Sequence, residues 1–207
     1  MRAGTVLILA HGEPPPEALL RRWAAAADWF VCTDGAIDAA LQFGVQPNAV
    51  LGDFDSLPPA LPPTVERLHI TEQETTDLEK AFYTAAARGF ERVVVLGAGG
   101  GRWDQFYSNL CVMARYADRF AIEAGDFHGW LRLLSPRHYH QLDLPPGRKV
   151  SLVPLPQATG VTFQGVRWPL TAATLALDGA SGISNEVTTT ATLHYQAGCL
   201  GVYEVHE

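Results

Sequence analysis

The sequence is short of basic residues, of cysteine and of long apolar runs, and each shortage excludes a class of protein. Against 22 Asp and Glu stand 15 Lys and Arg, a formal net charge of −7. Such a balance offers no basic stripe to track a nucleic-acid backbone. An acidic chain that handles phosphates needs metal ions and a few well-placed cations. The 3 cysteines, Cys32, Cys111 and Cys199, lie far apart and match no metal-ligand spacing. Each sits among apolar neighbours, which suits buried free thiols and a reducing, cytoplasmic setting. The apolar run Thr5-Val6-Leu7-Ile8-Leu9-Ala10 ahead of His11 is too short for a signal-peptide core or a membrane span. No later run approaches the roughly 18 residues a span requires. Charged residues are sparse at 18% and hydrophobic residues reach 47%, which supports a packed core rather than disorder. Internal repeats and low-complexity segments are lacking. A length of 207 residues admits one large domain or two modest ones.

What is present falls into two halves. Up to about Ala124, short β-branched apolar runs alternate with helical patterns. Strands are expected at Thr5–Ala10, Trp29–Thr33, Ala49–Leu51, Arg67–Ile70 and Arg92–Leu96. Between them, helices are expected from Glu17 with Trp23 on the apolar face, from Asp34 to about Phe43, from Thr76 to Arg88 and through Asn109 to Tyr116. Pro58, Pro59, Pro62 and Pro63 stiffen the loop after the third strand. This alternation predicts an open, mostly parallel sheet flanked by helices over residues 1–125. From residue 126 the helical pattern stops. Short strands recur between turn signals at 131–134, 138–142, 149–153, 160–163, 174–177, 186–195 and 201–205, as in a small all-β sandwich over 126–207. Gly182-Ile183-Ser184-Asn185 reads as an irregular polar break between strands. His138 and His140 suit an exposed strand face, with no third ligand nearby to make a metal site.

Candidate chemistry gathers after the strands of the first half. In Gly52-Asp53-Phe54-Asp55-Ser56, two acids two residues apart on an extended chain point the same way. They repel unless a cation or a proton intervenes, and hard divalent ions favour such oxygens. The same five residues also suit a solvated Asp-rich turn. Asp34 stands at a strand-to-helix turn, where it also suits a helix N-cap. Asp77 and Lys80 share one helix face, as a surface ion pair or as groups over a phosphate. Gly97-Ala98-Gly99-Gly100-Gly101-Arg102-Trp103-Asp104-Gln105 links a strand to a helix, the arrangement that cradles phosphate on backbone N–H groups. It lacks the Lys-Ser or Lys-Thr of a P-loop. Trp168 offers a ring for stacking on an aromatic ligand, or a core or edge aromatic.

These motifs occur in a fixed order: Thr33-Asp34-Gly35-Ala36, Gly52 to Ser56, Thr76-Asp77-Leu78-Glu79-Lys80-Ala81, the glycine-rich turn with Asn109, Ser151 to Leu155, Gly165 to Leu170, and Gly182 to Glu186. The ordered set resembles the bacterial form of the thiamine pyrophosphokinase family over nearly the whole chain. The resemblance implies transfer of a diphosphate unit from ATP, with Mg²⁺, to the hydroxyethyl group of thiamine, leaving AMP. It implies an α/β domain for ATP, a sandwich for thiamine, and a homodimer with sites where the two chains meet. It also implies that Asp34, Asp53, Asp55 and Asp77 surround the metal and polyphosphate, with Asp55 or Asp77 as proton acceptor. Gln73, Lys80, Gly100, Gly101, Arg102, Asp104 and Asn109 would meet the nucleotide, and Trp168, Ser184 and Asn185 the thiamine. Three positions depart from the family pattern: Ala36 replaces a glycine, Gln105 a histidine, and His11-Gly12 stands where Asn-Gly is frequent. A diphosphokinase for another heterocyclic alcohol such as a pterin, and a non-catalytic nucleotide or thiamine sensor, are the alternatives.

Overall fold

The computed structural model describes residues 4–55, 57, 61–136 and 138–206. The chain divides into two compact units at Phe127/His128. In the first, strands β1 (Thr5–Leu9), β2 (Trp29–Thr33), β3 (Ala49–Gly52), β4 (Glu66–His69), β5 (Arg92–Leu96) and β6 (Ala121–Gly125) alternate with helices α1 (Glu17–Ala26), α2 (Ile37–Gln42), α3 (Asp77–Ala87) and α4 (Trp103–Tyr116). The strands lie in the order β4-β3-β2-β1-β5-β6 and every neighbouring pair is parallel. β1, β2 and β5 read as unbroken apolar runs because helices cover both faces; Val6 to Leu9, Phe30 to Cys32 and Val93 to Leu96 are all buried. α3 packs across β1, β2 and β3. The chain moves outward from β1 to β4, then returns by α3 to lay β5 on the other side of β1. Strand order therefore reverses between β1 and β5, and loops leaving that point diverge to open a crevice.

The second unit contains β7 (Gly129–Leu134), β8 (Tyr139–Leu142), β9 (Lys149–Val166), β10 (Leu170–Ala176), β11 (Gly182–His194) and β12 (Ala197–Val205). Their order is β7-β12-β9-β11-β8, with β10 also on β9. Leu152, Val161, Phe163, Leu193, Tyr195 and Val202 are among the fully buried residues of its core. Two expectations are corrected here. Residues 149–153 and 160–163 belong to one long strand, which continues through Pro154 and Pro156. Proline lacks only the N–H; Pro154 stays in register with Leu200, and the Pro156 carbonyl accepts from Leu177 N at 2.8 Å. Gly182 to Asn185 opens β11 rather than separating two strands, and it is irregular: Gly182 pairs with Leu152 and Asn185 with Val150 of β9, with a register shift between them. Ser184 keeps its place there with φ of 59° while its N–H donates to Ser151 Oγ at 2.9 Å. His138 precedes β8, and His140 Nε2 lies 2.9 Å from the Ser135 carbonyl.

Candidate active site

The crevice at the reversal of strand order is a cavity of about 480 Å³, lined by the loops after β1, β2, β3 and β5 and by the first turns of α3 and α4. Its floor is built by close backbone approach. Gly12 N donates to Gly97 O at 2.8 Å, and a methyl group at position 12 would sit 2.4 Å from both the Gly97 and Gly99 carbonyls. Only glycine lets the β1 and β5 loops touch there. Asn109, on the inner face of α4, ties the turn to the helix by donating from Nδ2 to Ala98 O at 2.9 Å. Arg102 occupies the N-cap of α4 without capping it, and its guanidinium is paired with Asp104 instead. Both side chains of that pair are exposed, so water screens it and it binds weakly.

Opposite the glycine turn, the acids converge. Oxygen atoms of Asp34, Asp53 and Asp55 all lie within 4.8 Å of one another. Asp34 is only 4% exposed. It does not cap a helix in the way a turn-opening Asp suggests. Oδ1 accepts from Gly35 N at 2.7 Å and Oδ2 from Phe54 N at 3.1 Å, so it links the β2 and β3 loops. Burial pushes its pKa up, and the charge of Asp77 adds to that push. The expectation of two acids aligned by strand alternation is also corrected. β3 ends at Gly52, and Phe54 has φ of 69°, the left-handed region. A turn, not a pleat, brings Asp53 and Asp55 together; Asp55 N donates to Asp53 Oδ1 at 3.3 Å. Ser56, Pro58 and Pro59 lie outside the described residues.

Gln73 Nε2 donates to Asp53 Oδ2 at 2.9 Å, and that bond chiefly holds the Asp53 carboxyl below the ordinary carboxylate range. Thr76 caps α3, accepting from Glu79 N at 3.3 Å. Lys80 Nζ donates to Asp77 Oδ1 at 3.0 Å. This is no surface ion pair, because Lys80 is 3% exposed. Asp77 lines the crevice without joining the three-acid cluster. Asp34, Asp55, Asp77, Gly100, Arg102 and Asn109 thus line one cavity. Asp53 is tied to the lining residue Asp55 by its bond from Asp55 N, and Gln73 to Asp53 in turn, while Gly101, Lys80 and Asp104 are not among the lining residues.

Trp168, Ser184 and Asn185 belong to the second unit. The Asn185 amide is consumed by backbone: Oδ1 accepts from Trp168 N at 3.1 Å and Nδ2 donates to Trp168 O at 2.8 Å. The Trp168 ring is 54% exposed with the Arg167 guanidinium 5.0 Å from its centre. Some residues escaped sequence reasoning. His11, Thr33 and Phe106 line the crevice. Glu72 organises the loop before α3, accepting from the Glu74 and Thr75 N–H groups and from the Thr75 hydroxyl, which draws its pKa down. No spacing announces these roles. His69 was legible only as a strand residue.

A doubly wound parallel unit with an acidic, glycine-floored crevice, followed by an all-β unit, is the class these features define. Comparison places it more narrowly. The family described as thiamin pyrophosphokinase, catalytic domain, matches residues 20–124, and its vitamin B1 binding domain matches residues 137–200. The chain belongs to the thiamin pyrophosphokinase family. It is similar to Thiamin pyrophosphokinase 1 of Caenorhabditis elegans, 33% identical over 128 residues that cover 55% of this chain and 51% of that one. It therefore spans about half the length of that relative. It is also similar to Thiamine pyrophosphokinase of Bacillus subtilis, 25% identical over 167 residues, covering 77% of this chain and 78% of that one. Among solved structures, thiamin pyrophosphokinase from Geobacillus thermodenitrificans matches with a TM-score of 0.81 and 26% identity, covering 98% of each chain.

Proposed function

We propose that the chain transfers the diphosphate of ATP to the hydroxyethyl group of thiamine, giving thiamine diphosphate and AMP, with Mg²⁺ held by Asp34, Asp53 and Asp55. The observation that carries this reading is the convergence of those three carboxylates within 4.8 Å beside the glycine turn. The donor set fits a hard divalent ion: all are carboxylate oxygens, and Asp34 is buried where its own charge is costly without a cation. When bound, Mg²⁺ would supply charge neutralisation at the transferring phosphates and orient them for displacement.

The chain's own residues do the rest. The N-terminus of α4, a 14-residue helix whose N-cap residue Arg102 makes no side-chain cap, suits a polyphosphate. Lys80, held by Asp77, is a fixed cation, and Arg102 can exchange its exposed partner Asp104 for a phosphate at little cost. The thiamine hydroxyl oxygen attacks the β-phosphorus, the bond from that phosphorus to the α–β bridging oxygen breaks, and AMP leaves. Asp55 or Asp77 accepts the hydroxyl proton. The exposed Trp168 ring suits a cationic thiazolium. Purified protein given ATP, Mg²⁺ and thiamine is expected to form AMP in step with thiamine consumption. AMP formed only with a hydroxymethyl pterin would move the assignment to that substrate, and tight nucleotide or thiamine binding without any product would make the chain a sensor.

The same reading makes the chain a homodimer, whose surface would cover aromatics that stand exposed here, such as Trp103 at 82% and Tyr107 at 57%. Sedimentation velocity is expected to give twice the mass of the 22.5 kDa chain; a monomer at micromolar concentration contradicts it. No helix among the described residues is long and apolar enough to cross a membrane. Three free cysteines suit a cytoplasmic setting.

A further inference from the structure

The turn that carries Asp53 and Asp55 is strained, and something outside it must hold it. Phe54 takes φ of 69°, a region that aromatic residues avoid because Cβ crowds the following carbonyl. Such outliers persist only where the surroundings over-determine them, and they cluster at functional sites. Two of the contacts that fix this one come from a single side chain on the neighbouring strand. The His69 ring stacks on the Phe54 ring, centroids 4.9 Å apart and planes within 13°. His69 Nε2 also lies 3.1 Å from the Asp53 carbonyl. A carbonyl only accepts, so Nε2 carries the hydrogen and donates. The ring is well anchored to do this. His69 is the last residue of β4, paired with Gly52, and Ile70 N donates to Gly52 O at 2.9 Å. Backbone register therefore delivers the imidazole to the turn directly after β3.

We propose that His69 is a positioning residue for the acidic cluster: it clamps the left-handed turn at Phe54, by stacking on the ring and bonding the Asp53 carbonyl, so that Asp53 and Asp55 face Asp34. The proposal rests on the reading that this cluster holds a divalent ion. The clamp acts through shape and needs no change in charge. With the turn relaxed to φ below zero, the Phe54 N–H would leave Asp34 Oδ2, which it now reaches at 3.1 Å, and the two acids would no longer converge on the third.

Mn²⁺ binding to the nucleotide-free protein, followed by the paramagnetic resonance of the free ion, tests this without turnover. Wild type is expected to bind one ion per chain, His69→Ala to bind at least tenfold more weakly, and His69→Phe, which keeps the stack and loses the donor, to fall between. Glycine adopts φ above zero without strain, so Phe54→Gly is expected to bind several-fold more tightly than Phe54→Ala. Circular dichroism of each variant identifies any that fail to fold; the order of the two Phe54 variants stands even if His69→Ala misfolds. Equal Mn²⁺ affinity in wild type, folded His69→Ala and Phe54→Ala overturns the clamp while leaving the metal site intact. Absence of Mn²⁺ binding to wild type overturns the metal reading and the clamp with it.

Discussion

Replacing Asp55 by Asn is expected to lower turnover by about 10²–10³-fold, the usual loss when one group aimed at developing charge is removed. The melting temperature should stay near that of wild type. Both halves follow from placement. Asp55 lies at the crevice with an oxygen in the three-acid cluster, so the substitution removes a charged ligand oxygen and one of the two candidate proton acceptors. Yet Asp55 is exposed, so folding buries little of it. If the loss appears mainly as a higher Mg²⁺ requirement, Asp55 acts through the metal. If kcat falls at saturating metal, it acts on the proton. Unchanged turnover would remove it from the site.

Gly52→Ala should damage both stability and the site. At this position φ is 148°, and an added Cβ would lie 2.7 Å from Asp34 Cγ and 2.8 Å from Asp34 Oδ2. The obstacle is a buried carboxylate held by two backbone N–H groups, not the loose end of a long chain. Either the β3 loop shifts or Asp34 leaves its donors, and a buried acid without partners is costly. A loss of about 2–4 kcal/mol in unfolding free energy is expected, the range for strain combined with a broken buried contact. Mn²⁺ binding should disappear with it. Gly89→Ala is the control: φ there is 80° but nothing lies within 4 Å of an added Cβ. It should cost about 1–2 kcal/mol, the left-handed penalty alone. Equal costs at the two positions would mean that the Asp34 contact is unimportant.

The parallel sheet was legible because its strands are buried on both faces and so read as short apolar runs such as Arg92 to Leu96. Its helices were legible from caps and stops: Thr76 opens α3 and Gly89, with φ of 80°, follows it. The all-β unit was harder. Proline is a sound breaker of helices, yet β9 absorbs two prolines because a ladder can spare individual N–H groups. The site's acids were found by their motif, but for a partly mistaken reason. Alternation along a strand suggested that Asp53 and Asp55 align; in fact a positive φ at Phe54 and contacts from Gln73 and His69 align them. Those are tertiary facts, set by which strand lies beside β3. Burial of Lys80 is another, since an i,i+3 pair on paper does not reveal that α3 presses its lysine into the sheet.

Diphosphate is expected to move from ATP to thiamine as one unit. The direct measurement gives the protein ATP labelled at both the β and γ phosphorus, together with Mg²⁺ and thiamine, and follows where each label goes. The expected result is a thiamine product carrying both labels in equal amount, and AMP carrying neither. Label from the γ position alone in the product, with the β label retained in ADP, would contradict it.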